Sequence, residues 1–280
     1  MPLPRLQEIF HTSDLCADLR SAVAWRNYGR IHPEINDPRY VRSIVDYGMR
    51  RGVVSGFLGR ISPRGIFVNS GNYREEYIAG GFNPRQRAML EVLHEELEGR
   101  DTETLRIYAH EGVSPFARFL KEHFPAFTGS EYTLDEETRR KVAPVPVVDI
   151  TCSPFDNQYF DFILSNDVLD HVRDLDAALR DSARILKPGG VMAATFPFGY
   201  GGEFTDVRAV KREDGSIDFM GYPDPGRPEG EFTFQIPSWD ILERARSAGF
   251  KDAYMRFWSS HMHGFTGEEV AGIFLLIARA

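Results

Sequence analysis

The chain has 280 residues, of which 42% are hydrophobic and 26% charged, values ordinary for a soluble globular protein. That length is enough for one large α/β domain with an appendage, or for two small domains. The formal net charge of −8 argues against a broad nucleic-acid footprint, and Arg50-Arg51 and Arg139-Arg140-Lys141 read as solvated surface.

Taken in order, residues 14–26 carry Leu15, Leu19, Ala22 and Val23 at helical spacing, and Ile44, Val45 and Met49 suggest a second helix. Glycines 52, 56, 59, 65, 71, 80 and 81 then punctuate the β-prone runs VVSGFL and GIFV, the pattern of a small hairpin module. Asn83 is a helix cap with Pro84 at the first helical position, and this helix should stop at Gly99. We therefore expect residues 1–100 to form an N-terminal extension, helical with a small β module, and 101–280 to form the main α/β domain. Strands are expected at 105–109, 127–132, 145–150, 161–165 and 191–196, and a helix from Pro115 to His123. Asp174 caps a further helix carrying Leu175, Leu179, Ala183 and Leu186, which Pro188-Gly189-Gly190 should end. Residues 199–235 are rich in Gly, Pro, Asp and Glu, an excursion of the kind that serves as a lid or a mobile loop. Ser238 should cap a helix ending at Gly249, and 254–258 and 272–278 should close the sheet. Alternating strands and helices from residue 104 mean a doubly wound, mostly parallel sheet.

Two cysteines, Cys16 and Cys152, make neither a disulfide framework nor a zinc cluster. They fit a reduced, cytoplasmic setting, with Cys152 a small buried residue. No apolar run approaches the about 18 residues needed to span a bilayer, and the start of the chain lacks a signal-peptide core. His261 and His263 form a His-x-His pair, but no Cys or carboxylate cluster stands close in sequence, so no metal site is expected. Arg74, Glu75, Glu76, Arg85 and Arg87 would either clamp an anionic substrate or pair with one another.

Ligands of doubly wound sheets bind at the carboxyl ends of the strands. The first such turn reads YAHEGVSPFARFL, with the single glycine Gly112, where a glycine-rich fingerprint is usual. The missing pyrophosphate-binding glycines disfavour a nicotinamide-dependent oxidoreductase. The segments FDFILSNDVLDHV and ARILKPGGVMAATFP resemble the later half of the class I S-adenosylmethionine-dependent methyltransferase fold, which is Rossmann-like. Glu111-Gly112-Val113-Ser114-Pro115, the run Gly129-Ser130-Glu131-Tyr132 and the pattern Asn83-x-Arg85-x-Arg87-Ala88 resemble a divergent bacterial branch of that family with a degenerate glycine motif.

The resemblance implies S-adenosylmethionine as cofactor and a small-molecule or glycan-precursor methyl acceptor, with no nucleic-acid or membrane partner. It implies an acidic side chain, Asp149, for the adenine amino group, with Ile150 beside the ring. Glu131, 20 residues after Glu111 and followed by Tyr132, suits the ribose, because one carboxylate accepts from two neighbouring hydroxyls, or is a surface carboxylate at a strand end. Glu111, Gly112 and Ser114 would meet the amino-acid end of the cofactor, although Ser114 serves equally as a helix cap. Asn166 and Asp167 face the transfer centre in the family, while Asp167 is alternatively a cap. His171, four residues on, would share its face if a helix has begun, and would take the acceptor's proton or serve only structurally. Aromatic side chains in the excursion, Phe198, Tyr200, Phe204, Tyr222, Phe232 and Phe234, either wall the acceptor or pack onto the core. A non-catalytic methyltransferase-like partner protein is the alternative function, and a homodimer is left open.

Overall fold

The structure is a computed structural model that describes residues 14–97, 100–226 and 231–280. The N-terminal stretch read for a signal core and the expected stop at Gly99 lie outside the described residues.

Seven strands make the main sheet: β1 (Asp14–Leu19), β2 (Ile107–Ala109), β3 (Phe127–Gly129), β4 (Phe160–Asn166), β5 (Leu186–Thr195), β6 (Asp252–Ser260) and β7 (Ile273–Arg279). Their order is β1-β6-β7-β5-β4-β2-β3. Strands β3, β2, β4 and β5 are parallel, and β7 runs antiparallel to β5. This is the Rossmann-like, doubly wound arrangement expected. Every residue of β4 is buried, as expected of a strand covered on both faces, including the polar Asp161, Ser165 and Asn166.

The chain divides into two compact units. One comprises residues 101–254 with 20–22 and 276–280. Here helix Pro115–His123 follows β2, and helix Leu175–Ile185 joins β4 to β5. Asp174 caps the latter by accepting from the Ala177 amide, and Leu175, Ala178, Leu179 and Ile185 are buried along one face. The excursion is not bare loop. Residues 206–207 pair with 235–236, and 210–211 with 217–218. Ala209, Phe232 and Phe234 form a small core of their own, with Ile217 and Phe219 against it.

The other unit comprises the described residues of 14–19, 23–100 and 255–275, so the segment 255–275 groups with the N-terminal part of the chain. The hairpin module exists as two ribbons, 53–55 with 59–61 and 66–68 with 77–79. Asn83 closes a capping box with Gln86 on helix Pro84–Glu96.

Four expectations need correction. Residues 14–19 are strand, not helix: antiparallel pairing with 255–260 overrides their helical spacing, and the helix runs Ala22–Ile31. Residues 145–150 form no strand, only one bridge between Val147 and Glu131, because Pro146 has no amide to extend a ladder. Pro188-Gly189-Gly190 does not end the helix, which stops at Ile185; it lies in β5, where the register shifts opposite Phe160 and Phe162. Ser238 caps no helix. Its hydroxyl donates to the carbonyls of Gly199 and Gly202, and the helix is Ile241–Ser247.

Candidate functional site

At the carboxyl ends of β2, β3 and β4 lies a cavity of about 170 Å3. Glu131, Tyr132, Asp149, Ile150, Asp167 and His171 all line it, together with His110, Ser130, Thr151, Arg173 and Phe234. Glu111, Gly112, Ser114 and Asn166 are not in its wall but hold the wall in place. Asn166 donates from Nδ2 to Glu111 Oε1 at 2.7 Å, tying the end of β4 to the first turn. Ser114 accepts from the Ala117 amide at 3.0 Å and caps helix Pro115–His123. Of its two readings the cap is therefore realised.

The first turn is fastened to the segment just after β3 by a side-chain carboxylate and by close backbone approach. Glu131 Oε1 accepts from the amides of Gly112 and Val113, at 2.9 and 3.0 Å. A Cβ on Gly112 would come within 2.3 Å of Val145 Cγ1, and one on Gly129 within 2.7 Å of the Glu111 carbonyl. Both glycines are required by close approach, not by turn flexibility. Gly129 stands in a motif the sequence singled out, yet its packing role carries no local signal.

Asp149 Oδ1 accepts from the amide and hydroxyl of Thr151, at 2.9 and 2.6 Å. Its Oδ2 takes Arg173 Nη2 at 2.6 Å, and Arg173 Nη1 reaches the Tyr132 hydroxyl at 3.3 Å. Arg173 therefore links Tyr132, just beyond β3, to Asp149, the two positions expected to hold the adenosine. Sequence reasoning missed it because nothing in LDHVRD predicts which way that turn points.

Residues 167–173 are turn, and the next helix begins only at Leu175 with Asp174 as its cap, so Asp167 does not cap that helix and does not share a helical face with His171. Asp167 has φ 49°, and its amide donates to the Thr195 carbonyl at 2.8 Å. His171 Nδ1 lies 3.0 Å from the Phe232 carbonyl. A carbonyl only accepts, so Nδ1 carries a proton, and Nε2 faces Asp170 Oδ2 at 3.4 Å. His171 also lines a second cavity, of about 390 Å3, with Arg208, Phe219, Tyr222, Pro223 and Phe232.

His110, directly after β2, is buried and lines the first cavity. Its Nδ1 is 3.1 Å from Ser165 Oγ, and burial pushes its pKa down to about 4, so the ring is neutral near pH 7. It is the largest departure from a glycine-lined turn.

Other sequence candidates fall elsewhere. Cys152 is exposed, not buried, since no strand forms around it. His261 and His263 lie beyond the end of β6 and take separate partners, Ser43 Oγ at 3.0 Å and the Val54 carbonyl at 3.0 Å. Glu75 pairs with Arg74 and with Arg85, and Arg87 is wholly buried. Among the aromatics of the excursion, Phe232 and Phe234 are buried, Phe198 packs on Trp239, and Phe204 is exposed.

Residues 112–194 match the family described as a methyltransferase domain. That span runs from the first turn to the end of β5 and takes in β3, β4 and most of the wall of the first cavity. No curated protein matches the chain. Among solved structures it is similar to an S-adenosylmethionine-dependent methyltransferase from Mesorhizobium loti, with 17% identity, 70% of this chain and 96% of that one covered, and a TM-score of 0.43. It is also similar to a Burkholderia thailandensis 1,6-didemethyltoxoflavin N1-methyltransferase, with 14% identity, coverage of 70% and 77%, and a TM-score of 0.40. A third is a Haemonchus contortus phosphoethanolamine N-methyltransferase, with 16% identity, 69% of this chain covered and a TM-score of 0.42. The chain spans about half the length of that protein, 52%.

Proposed function

We propose that the chain is an S-adenosylmethionine-dependent methyltransferase acting on a small-molecule or glycan-precursor acceptor. The observation that carries the reading is the position of His171, whose side chain lines both cavities. The cofactor belongs in the first cavity and the acceptor in the second, with the imidazole between them.

The residues present fit the cofactor. Glu131 spends only Oε1 on the first-turn amides, and among the described residues Oε2 has no protein partner, which leaves an acceptor for ribose hydroxyls. Ile150 is buried with one side in the cavity wall, an apolar edge for a purine. When bound, the cofactor supplies a methyl group on a cationic sulfur. The chain has then to align the acceptor, exclude water and receive a proton. Nδ1 of His171 is committed to the Phe232 carbonyl, so Nε2, beside Asp170, is the atom that receives it. The described residues of the excursion supply the acceptor's wall through Phe219, Tyr222 and Phe232 and act as its lid.

Calorimetric titration with S-adenosylhomocysteine tests this; the expected result is saturable one-site binding. A flat titration sinks the reading. It would favour instead a non-catalytic partner protein.

A further inference from the structure

We propose that His110 is a cofactor-contacting residue, donating a hydrogen bond from Nε2 to the carboxylate at the amino-acid end of S-adenosylmethionine. The inference rests on the methyltransferase reading above and deepens it.

His110 is the first residue after β2, and its amide is fixed to the Leu164 carbonyl at 3.0 Å. Its side chain is 6% exposed, yet it forms part of the cavity wall. The tautomer follows from Ser165. That hydroxyl is fully buried and, among the described residues, has no partner other than His110 Nδ1. A buried hydroxyl hydrogen needs an acceptor, and the imidazole lone pair is the one at hand. Ser165 therefore donates to Nδ1, and the ring's hydrogen sits on Nε2. No described residue accepts from Nε2. A buried donor at a cavity wall with no protein acceptor is a position for a ligand acceptor.

Charge selects which part of the ligand it meets. Glu131 and the Asp149-Ile150 pair occupy the β3 side of the cavity, where the ribose and base belong. His110 and Ser165 stand on the β2–β4 side, which leaves them the amino-acid end. A neutral imidazole offers a donor to a carboxylate without repelling the sulfonium a few bonds away, which an imidazolium would do. Burial keeps the ring neutral down to about pH 4. A side chain thus supplies the hydrogen bond that this turn, lacking its glycines, cannot supply through closely approaching backbone.

The test compares two ligands on the full chain. S-adenosylhomocysteine carries the carboxylate, and 5′-methylthioadenosine has the same nucleoside thioether without it. Replacing His110 by Ala or Gly should weaken S-adenosylhomocysteine by about tenfold, the scale of one charge-assisted hydrogen bond, and leave methylthioadenosine within about twofold. Tighter binding of S-adenosylhomocysteine by H110G would make His110 a plug and overturn the proposal. So would unchanged affinity, or equal losses for both ligands. If the wild-type chain binds neither ligand, the methyltransferase reading itself falls, a different failure. Should the variants not fold, long-range 1H–15N spectra of the wild-type histidines decide the point. An Nε2–H tautomer whose Nε2 signal moves with S-adenosylhomocysteine and not with methylthioadenosine is expected, and an Nδ1–H tautomer or an unmoved signal overturns it.

Discussion

The amide of Gly112 and the carboxylate of Glu131 are joined at 2.9 Å, and the Val113 amide shares the same oxygen at 3.0 Å. The acidic residue expected to hold a ribose thus also holds the turn expected to hold the amino-acid end. The two roles fall on different oxygens, so they separate by mutation. Glu131→Gln keeps an oxygen for the two amides but turns the other acceptor into a donor. It should melt within about 0.5 kcal/mol of wild type and bind S-adenosylhomocysteine at least about tenfold more weakly. Glu131→Ala should lose both affinity and about 1 kcal/mol of stability. Calorimetry with thermal melts checks both, and equal affinity in E131Q would remove the ribose assignment.

Arg173 competes for Asp149. Its Nη2 holds Oδ2 at 2.6 Å while the Thr151 groups hold Oδ1, so an adenine amino group must displace the guanidinium to reach the carboxylate. Both partners are about a third exposed or slightly less, and the pair stabilises the fold by about 1 kcal/mol at most. Arg173→Ala should therefore leave the melting temperature nearly unchanged and tighten S-adenosylhomocysteine by about two- to fivefold. Weaker binding in this variant would mean that Arg173 itself contacts the nucleoside.

Much of this arrangement was legible in the sequence. The apolar residues Phe160, Phe162, Ile163 and Leu164 of β4, the Asp174 cap and the Asn83-Pro84 start are local patterns, and each governs its own element. What failed were segments decided by a distant partner. Residues 14–19 have helical spacing but complete a ladder with 255–260. Cys152 follows a strand that Pro146 prevents from forming. Within the site, Glu131 could be read because the end of β3 fixes where it sits, and Asp149 follows through the bridge of Val147 to Glu131. His110 was passed over because the turn was judged by its missing glycines and not by what replaces them. Arg173 and Asp170 lie in a turn whose direction only the fold sets.

His171 should act on turnover and not on cofactor binding. Its Nδ1 is pinned to the excursion through the Phe232 carbonyl, and its Nε2 is the proton-receiving atom. His171→Ala should lower methyl transfer by about 10²–10⁴-fold, the usual contribution of a positioned base, and leave S-adenosylhomocysteine affinity within about twofold. Radiolabelled methyl transfer to an acceptor pool, measured beside calorimetry, separates the two. A variant that retains full turnover would return His171 to a structural role.

Acid should destabilise the protein through two buried histidines. His110 and His261 both have pKa values pushed down to about 4 by burial, against about 6.5 in the unfolded chain. Above pH 6.5 neither state carries the charge and nothing is lost. Between pH 6.5 and 4 the unfolded chain takes up protons that the folded one refuses, so stability falls, by about 2 kcal/mol per histidine on reaching pH 5. Below about pH 4 these two groups add no further loss. His261 donates from Nε2 to Ser43 Oγ, whose own hydrogen goes to the Tyr40 carbonyl. His261→Asn should remove about half of the loss between pH 7.5 and 5 in urea unfolding, and an unaltered pH dependence would refute the assignment.

Arg87 is the most exacting position of the N-terminal unit. Its guanidinium is fully buried, donates to the carbonyls of Tyr77, Phe82, His263 and Gly264, and lies 5.2 Å from the centre of the Tyr77 ring. It joins the second hairpin to the turn after β6, two segments far apart in sequence. Burial lowers its pKa to about 10, which still leaves it charged at pH 7. Arg87→Met fills similar volume but leaves four carbonyls, most of them buried, without these donors. Under-satisfied carbonyls cost less than orphaned amides, and removing the buried charge recovers some desolvation energy, so the net loss should be about 2–4 kcal/mol. Arg87→Lys keeps the charge with a shorter reach and three donors in no fixed plane, and should fall between the two. Urea midpoints of the three proteins give the order. If the methionine variant matches wild type within about 0.5 kcal/mol, the guanidinium is carried by its surroundings instead of holding them together.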